Sequence, residues 1–218
     1  MKESFNNLYA IYLEIKDRVG ERLREFERIR EKGSEEELFE ELVFCLLTPQ
    51  SRARQAEKAV RILKDEHLLY RGGIPALSEK LNIVRFRNNK ARFICEAREI
   101  FCSGPAGSKP RMRELLSNFT GSIEIRDWLT ENIMGIGYKE ASHFVRNTGY
   151  FTDAAILDRH VIRNLLYLGV LEEDVKSLAR KNYLEIEKRM KEFSSEIGIP
   201  MDYLDFVMMY RDIGDIFK

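Results

Sequence analysis

The sequence lacks the features that mark several large classes of protein. Its 218 residues carry no net charge, and they contain no apolar run of the roughly 18 residues that a membrane helix requires. A membrane span is therefore excluded, and overall charge does not point to nucleic acid. Only three cysteines occur, without a C-x-x-C pair, which argues against structural zinc or an iron–sulfur cluster. An odd cysteine count without a signal peptide leads us to expect a cytoplasmic protein.

Glutamine is also scarce, whereas charged side chains are abundant and unevenly distributed. Residues 1–41 contain 8 basic and 12 acidic groups, but residues 52–64 contain 5 basic and 1 acidic, and residues 85–113 contain 8 basic and 2 acidic. The two basic stretches could form a local binding surface for a polyanion on a neutral protein. For each stretch, the alternative is an ordinary helix face that is exposed to solvent and binds no polyanion.

The hydrophobic pattern predicts a protein built from helices. Apolar residues recur every three or four positions from Phe5 to Ile29, which indicates a long amphipathic helix that Gly33 ends. Ser34 with Glu37 predicts a capping box for the next helix. No window alternates as a strand would, so we predict essentially no sheet, and residues 103–108 form the clearest loop. Further helices are expected after Pro49 and at about 88–102, 110–118, 123–132, 139–148, 159–168, 171–180, 182–197 and 201–216.

A glycine-rich turn between two predicted helices gives the sharpest local signal. The segment Met134-Gly135-Ile136-Gly137 allows a tight turn with positive φ at its glycines, and Ile136 would fill the gap between the helices. Backbone N–H groups at the turn and at the start of the second helix would face outward and hold a DNA phosphate. This is a helix-hairpin-helix arrangement. An ordinary helical hairpin punctuated by glycine is the alternative.

Two residues near this turn carry groups suited to catalysis. Lys139 stands in the first turn of the second helix, where burial and the positive helix end would favour the neutral, nucleophilic amine used in Schiff-base chemistry. A phosphate-binding or solvated lysine is the alternative. Asp158 follows nineteen residues later, after an apolar extended segment and before a helix. It reads first as an N-cap, although a carboxylate there could also stabilise a cationic transition state or deprotonate a nucleophile.

These motifs resemble a known superfamily. Gly135-Ile136-Gly137-x-Lys139 followed by Leu157-Asp158-x-His160-Val161 is similar to the signature of the helix-hairpin-helix DNA base-excision glycosylases. The chain resembles in particular the type-2 8-oxoguanine DNA glycosylase/lyases of bacteria and archaea, because it is compact, lacks a C-terminal four-cysteine cluster and ends in Lys218. It departs from the superfamily where Met134 replaces the usual proline and where the last five positions before Asp158 contain neither Gly nor Pro.

The resemblance implies a two-lobed all-α fold with a DNA- and base-binding cleft between the lobes. Residues 1–50 together with 172–218 would form one helical lobe, and residues 51–171 would form the other, which carries the hairpin. It implies that Lys139 is the nucleophile and Asp158 its catalytic partner. Lys218 and Met209 would line the base pocket.

The resemblance also implies which residues contact DNA. Gly135, Ile136 and Gly137 would bind the backbone, and Gln50 would enter the duplex gap that the flipped base leaves. One of Arg85 and Arg87 would contact the orphaned cytosine and the other a phosphate, a recognition that suits the planar guanidinium.

The activity that the resemblance implies is removal of 8-oxoguanine from double-stranded DNA through a lysine Schiff base, with strand cleavage by β-elimination. Such an enzyme would act in base excision repair, as a monomer, at the nucleoid in the cytoplasm. It would need no metal or organic cofactor, although a monovalent cation could sit in the hairpin. Two alternatives remain open: an endonuclease III-like glycosylase/lyase for oxidised pyrimidines, and a non-enzymatic helix-hairpin-helix module that binds DNA.

Overall fold

A computed structural model describes residues 2–102, 104, 107–150 and 154–218, in which every regular element is a helix. The all-α prediction is therefore confirmed. Across this described part, no helix is long and apolar enough to cross a membrane. A single turn of 3-10 helix covers Leu81–Ile83. The α-helices are α1 (Lys2–Lys32), α2 (Glu35–Leu47), α3 (Ala53–Asp65), α4 (Leu68–Arg71), α5 (Ile74–Lys80), α6 (Arg87–Phe101), α7 (Met112–Leu116), α8 (Ser122–Asn132), α9 (Tyr138–Asn147), α10 (Arg159–Tyr167), α11 (Arg180–Ile197) and α12 (Met201–Ile213).

The chain forms two compact units. One consists of Met1–Phe26 with Phe151–Lys218, here called the terminal unit, and the other is Glu27–Tyr150, the hairpin unit. Helix α2 belongs to the hairpin unit because it packs on α3 and α9, and α10 belongs to the terminal unit because it packs on α12. The lobes that the resemblance implies have other borders, after residues 50 and 171, and stay a prediction.

The local signals at the start of the chain produce the expected helices. The apolar stripe of α1 is buried, with Leu8, Ile15 and Val19 at most 1% exposed. The helix ends at Lys32, directly before Gly33, and α2 follows with its capping box complete. The Ser34 hydroxyl accepts from the Glu37 amide at 3.1 Å, and the Glu37 carboxylate accepts from the Ser34 amide at 2.8 Å. Both predictions are confirmed.

The structure corrects the helix predictions in two places. Residues 171–179 are irregular rather than helical. Only Leu171 is buried there, so a helix would have no apolar face to pack. Conversely, α4 and α5 form where only a break at Gly72-Gly73 was expected, and Pro75 occupies the first turn of α5, the position that proline favours in a helix. In the predicted loop 103–108, residues 103, 105 and 106 lie outside the described residues.

Candidate active site and DNA interface

The turn between α8 and α9 has the tight geometry that its sequence predicts. Gly135 adopts φ +89°, and a Cβ there would lie 2.4 Å from the Phe93 ring. Glycine is thus required by both the backbone conformation and the close approach of that ring. Ile136 is buried. The predictions of a positive φ at Gly135 and of a buried Ile136 are confirmed, whereas contact of either residue with DNA stays a prediction.

The other glycine of the turn behaves differently from its prediction. Gly137 has φ −101° and ψ −177°, an extended conformation, and it is the N-cap of α9. The expectation of positive φ at Gly137 was therefore wrong. The Ile136 amide donates to the Ile133 carbonyl at 3.1 Å, so it is not available to a ligand. The amides of Gly135 and Gly137, on either side, make no hydrogen bond within the described part of the chain, and they are the ones that could hold a phosphate.

Lys139 lies in the first turn of α9 with its side chain 22% exposed. Its Nζ is 3.5 Å from the Thr48 hydroxyl oxygen and 3.7 Å from a Glu140 carboxylate oxygen. Both distances exceed those of a good hydrogen bond. The amine is therefore sheltered but only loosely held, which leaves it able to move toward a substrate.

Thr48 begins a four-residue turn between α2 and α3 that presents Gln50. The Ser51 amide donates to the Thr48 carbonyl at 3.0 Å, and Pro49 and Gln50 occupy the central positions. Gln50 is exposed and has φ +53°, at the turn position where Gly or Asn is usual. The turn thus holds a long polar side chain on strained backbone, which is typical of functional positions. We call residues 48–51 the Gln50 turn.

Sequence reasoning missed the residue that braces this turn. Lys90 on α6 is only 2% exposed, and its Nζ donates to the Leu47 carbonyl at 2.7 Å, the Pro49 carbonyl at 2.8 Å and the Ser51 hydroxyl at 3.0 Å. Burial lowers the pKa of Lys90 to about 8, against an opposing pull from Glu140. No sequence signal separates Lys90 from the other cations of its basic stretch.

Of the two arginines predicted to contact DNA, Arg85 lies next to the Gln50 turn and Arg87 follows two residues later. The Arg85 amide donates to the Ser51 hydroxyl at 3.0 Å, and the side chains of Arg85 and Arg87 are exposed. Between them, Phe86 is exposed with φ +57°. The structure therefore brings Arg85 and Gln50 to one place in the hairpin unit. Which arginine meets a base stays a prediction.

Asp158 is in the terminal unit and caps α10. Its Oδ1 accepts from the backbone amides of His160 at 2.8 Å and Val161 at 2.9 Å, so the N-cap prediction is confirmed. Both bonds end on the same oxygen. Oδ2 makes no hydrogen bond to any residue that the structure describes, and it stays available for chemistry.

The buried segment that leads to Asp158 is fixed by α11, which sequence reasoning also missed. The Tyr183 hydroxyl donates to the Ala155 carbonyl at 2.6 Å and accepts from the Leu157 amide at 3.3 Å. The Ala155 amide donates to the Glu187 carboxylate at 2.8 Å. These bonds hold the conformation of a segment that has no proline ring to restrict its φ angles.

The last helix is tied to the start of α10. His160 Nδ1 lies 2.9 Å from Asp212 Oδ2, and the Arg163 guanidinium bonds the same carboxylate. Burial would raise the pKa of Asp212, but the hydrogen bonds from His160 and Arg163 and the charge of Arg163 lower it overall. This network fixes the end of α12, from which the chain continues to Lys218.

The two residues predicted for the base pocket both belong to the terminal unit. Met209 is on a partly exposed face of α12, whereas Met208 is fully buried. Lys218 is partly exposed in the irregular segment after Gly214. Within the described residues, no three His, Cys, Asp or Glu side chains are placed to hold a metal ion. Contact of Met209 and Lys218 with a base stays a prediction.

Known proteins are similar to this chain in sequence and in structure. A family model described as 8-oxoguanine DNA glycosylase matches residues 19–199. The chain belongs to the 8-oxoguanine DNA glycosylase family. A family member from Fusobacterium nucleatum, an 8-oxoguanine DNA glycosylase/AP lyase, is 43% identical over 99% of this chain and 98% of its own. The enzyme of the same name from Methanocaldococcus jannaschii is 35% identical over 94% of each chain.

Solved structures of the 8-oxoguanine DNA glycosylase family share the whole fold. The Thermotoga maritima 8-oxoguanine DNA glycosylase superposes with a TM-score of 0.85 at 33% identity over 100% of both chains. The Methanocaldococcus jannaschii glycosylase/lyase, crystallised with a 15mer DNA containing 8-oxoguanine, gives a TM-score of 0.85 at 32% identity over 98% of this chain and 99% of its own. The predicted helix-hairpin-helix glycosylase fold is thereby confirmed.

Proposed function

We propose that this protein is a bifunctional DNA glycosylase and AP lyase that excises 8-oxoguanine from duplex DNA. Membership of the 8-oxoguanine DNA glycosylase family supports 8-oxoguanine as the substrate. One observation supports a reaction through a lysine nucleophile: Lys139 stands beside the Gly135–Gly137 turn with an amine that is sheltered and loosely held. A lysine so placed is suited to attack a sugar carbon next to a bound phosphate.

The hairpin unit would hold the damaged strand. The two amides that flank Ile136, with the positive end of α9 behind them, suit a backbone phosphate. Exposed Arg85 and Arg87 add positive charge beside the Gln50 turn. When the lesion nucleotide leaves the stack, at a cost of a few kcal/mol, Gln50 would fill the gap and keep it out.

The chemistry would pair Lys139 with Asp158. Nζ of Lys139, having lost its ammonium proton to solvent, would bond to C1′ as the bond from C1′ to the base breaks, and the base would take that electron pair and be protonated as it leaves. During this step the Asp158 carboxylate, whose Oδ2 accepts no hydrogen bond from the described residues, would stabilise the positive charge that develops on the sugar. Oδ2 would then take a proton from the attached nitrogen while O4′ gains one, so that the sugar ring opens to a Schiff base, after which a C2′ proton is removed and the 3′ phosphate leaves. Lys218 and Met209 would enclose the departing base.

Borohydride trapping tests this proposal directly. A duplex with one 8-oxoguanine opposite cytosine is incubated with the wild type, with Lys139→Gln and with Lys181→Gln, which removes a charge from an exposed position on α11. We expect a covalent protein–DNA adduct and a cut strand with the wild type and Lys181→Gln, and neither with Lys139→Gln. If Lys139→Gln cuts at the wild-type rate, the nucleophile is another residue.

A parallel duplex with thymine glycol defines the substrate. Trapping on thymine glycol alone would replace our proposal with an oxidised-pyrimidine enzyme. Tight binding without an adduct on either lesion would indicate a DNA-binding module.

Because the proposed substrate is chromosomal DNA, we place the protein in the cytoplasm at the nucleoid. We expect it to act as a monomer, which light scattering with and without the duplex would check.

A further inference from the structure

Gln50 occupies a backbone conformation that its own side chain disfavours. Its φ of +53° lies in the left-handed region, where the Cβ of any residue other than glycine is crowded. The ring of Pro49 fixes the φ angle of Pro49 itself, but it cannot impose the left-handed conformation on Gln50. Within residues 48–51, the backbone bond from the Ser51 amide to the Thr48 carbonyl closes the turn. Because this one bond must offset the strain at Gln50, contacts from outside residues 48–51 are needed to hold Gln50 in place.

Lys90 makes those contacts on both sides of Gln50. Its three ammonium hydrogens have three acceptors, the carbonyls of Leu47 and Pro49 before Gln50 and the hydroxyl of Ser51 after it. The Leu47 carbonyl is at the end of α2, where helix carbonyls lack an intrahelical partner. A lysine this deeply buried is rare unless it is fully paired. The ammonium is therefore committed to this turn and has no donor left for DNA.

The Ser51 hydroxyl extends the brace to a second element. It accepts from Lys90 and also from the Arg85 amide at 3.0 Å. Arg85 precedes Phe86, which is also in the left-handed region, so two strained and exposed segments are tied together at one oxygen. A change at Lys90 or Ser51 would release both.

We propose that Lys90 is a positioning residue for base extrusion: its ammonium holds the Gln50 turn and the Arg85 backbone in the geometry in which Gln50 fills the emptied duplex position. This inference rests on the proposed function. It adds a residue that contacts neither the damaged base nor the sugar.

The first test separates extrusion from chemistry by changing the substrate. Lys90→Met removes the three donors, and we expect single-turnover excision from an 8-oxoguanine·cytosine duplex to fall by about 10-fold or more, as for other misplaced groups remote from the chemistry. On a single-stranded oligonucleotide with one abasic site, no gap needs filling. There the lyase rate of Lys90→Met should equal that of the wild type and of Lys181→Met, the exposed-charge control. An equal loss on both substrates would overturn the inference.

A second variant, Ser51→Ala, keeps the buried charge of Lys90 and therefore tests the inference even if Lys90→Met does not fold. Ser51→Ala removes only the shared hydroxyl, so it should slow excision from the duplex by a smaller factor than Lys90→Met and leave the lyase rate on the single strand unchanged. Combining Lys90→Met with Gln50→Ala should slow duplex excision no further than the slower single variant, because both act through one side chain. Multiplicative losses would mean that Lys90 does not act through Gln50.

Hydrogen exchange distinguishes failure of this inference from failure of the proposed function. In the free wild-type protein, the hydrogen-bonded amides of Thr48 and Ser51 should exchange slowly, and Lys90→Met should accelerate them while leaving those of α11 unchanged. This readout needs no lesion. If exchange accelerates but the wild type excises nothing, the brace is real and the proposed function is wrong. If exchange does not change, Lys90 does not hold the turn, whatever the enzyme does.

Discussion

Replacing Gly135 by alanine should be costly for two separable reasons. A left-handed backbone at a non-glycine residue costs about 1–2 kcal/mol. In addition, the new methyl group would lie 2.4 to 2.9 Å from three carbons of the Phe93 ring, and such overpacking adds about 1–3 kcal/mol. We therefore expect Gly135→Ala to lower the free energy of unfolding by about 2–5 kcal/mol. Gly169 provides the matched control, because it has φ +73° and nothing within 4 Å of its added Cβ.

Urea unfolding of four variants measures the two contributions. Gly169→Ala should lower the free energy of unfolding by about 1–2 kcal/mol, which is the cost of a left-handed backbone alone. Gly135→Ala should cost more, and Phe93→Ala in that background should cost less than Phe93→Ala alone, since the small side chain relieves the overlap. Equal losses for Gly135→Ala and Gly169→Ala, or no coupling to Phe93, would show that the ring does not constrain the turn. Gly135→Ala should also weaken binding to undamaged duplex, measured by fluorescence anisotropy.

Three further changes test the site in other ways. Asp158→Asn should leave the unfolding free energy nearly unchanged, because Asn caps helices as well as Asp, yet it should abolish borohydride trapping; retained trapping would remove Asp158 from the mechanism. Tyr183→Phe should lower the free energy of unfolding by about 1–3 kcal/mol. Because it also loosens the segment before Asp158, it should lower kcat more than it raises KM, and a change in KM alone would contradict this. Because the pKa of Lys90 is about 8 in the folded protein and 10.5 normally, the unfolded chain binds more protons between these values and stability should rise with pH. From about pH 7 to pH 9 the gain should be about 1 kcal/mol in the wild type and absent in Lys90→Met, as urea titrations at both pH values would show.

Features whose physical cause lies within a few residues could be predicted from the sequence. The α1 stripe repeats every turn, the capping box needs only Ser34 and Glu37, and the cap at Asp158 bonds amides two and three residues ahead. Gly135 belongs to the same class because its turn is local. Gly137 marks the limit: two glycines in one turn suggest two positive φ angles, but only the backbone trace shows that Gly137 is extended.

The residues that sequence reasoning missed are those whose partners are remote in the chain. Lys90 bonds acceptors 39 to 43 positions away, and Tyr183 bonds a carbonyl 28 positions away. Neither residue type is unusual for its helix. Likewise, the assignment of α2 to the hairpin unit follows from its packing on α9, about a hundred residues later. Such facts require the tertiary fold.

The contrast between Lys90 and Lys139 explains how one turn can serve two purposes. Both ammonium groups contact the Gln50 turn, Lys90 through Pro49 and Ser51 at 2.8 and 3.0 Å and Lys139 through Thr48 at 3.5 Å. A group that positions others must itself be immobile, and three short bonds with no spare donor make it so. A nucleophile must leave its resting contacts to form a bond, and long contacts cost little to break. In the mechanism that we propose, a nucleophilic Lys90 would have to release the turn that presents Gln50 before it reached C1′. The hydrogen-bond lengths therefore favour Lys139 over Lys90 as the proposed nucleophile and suit Lys90 to the proposed positioning role.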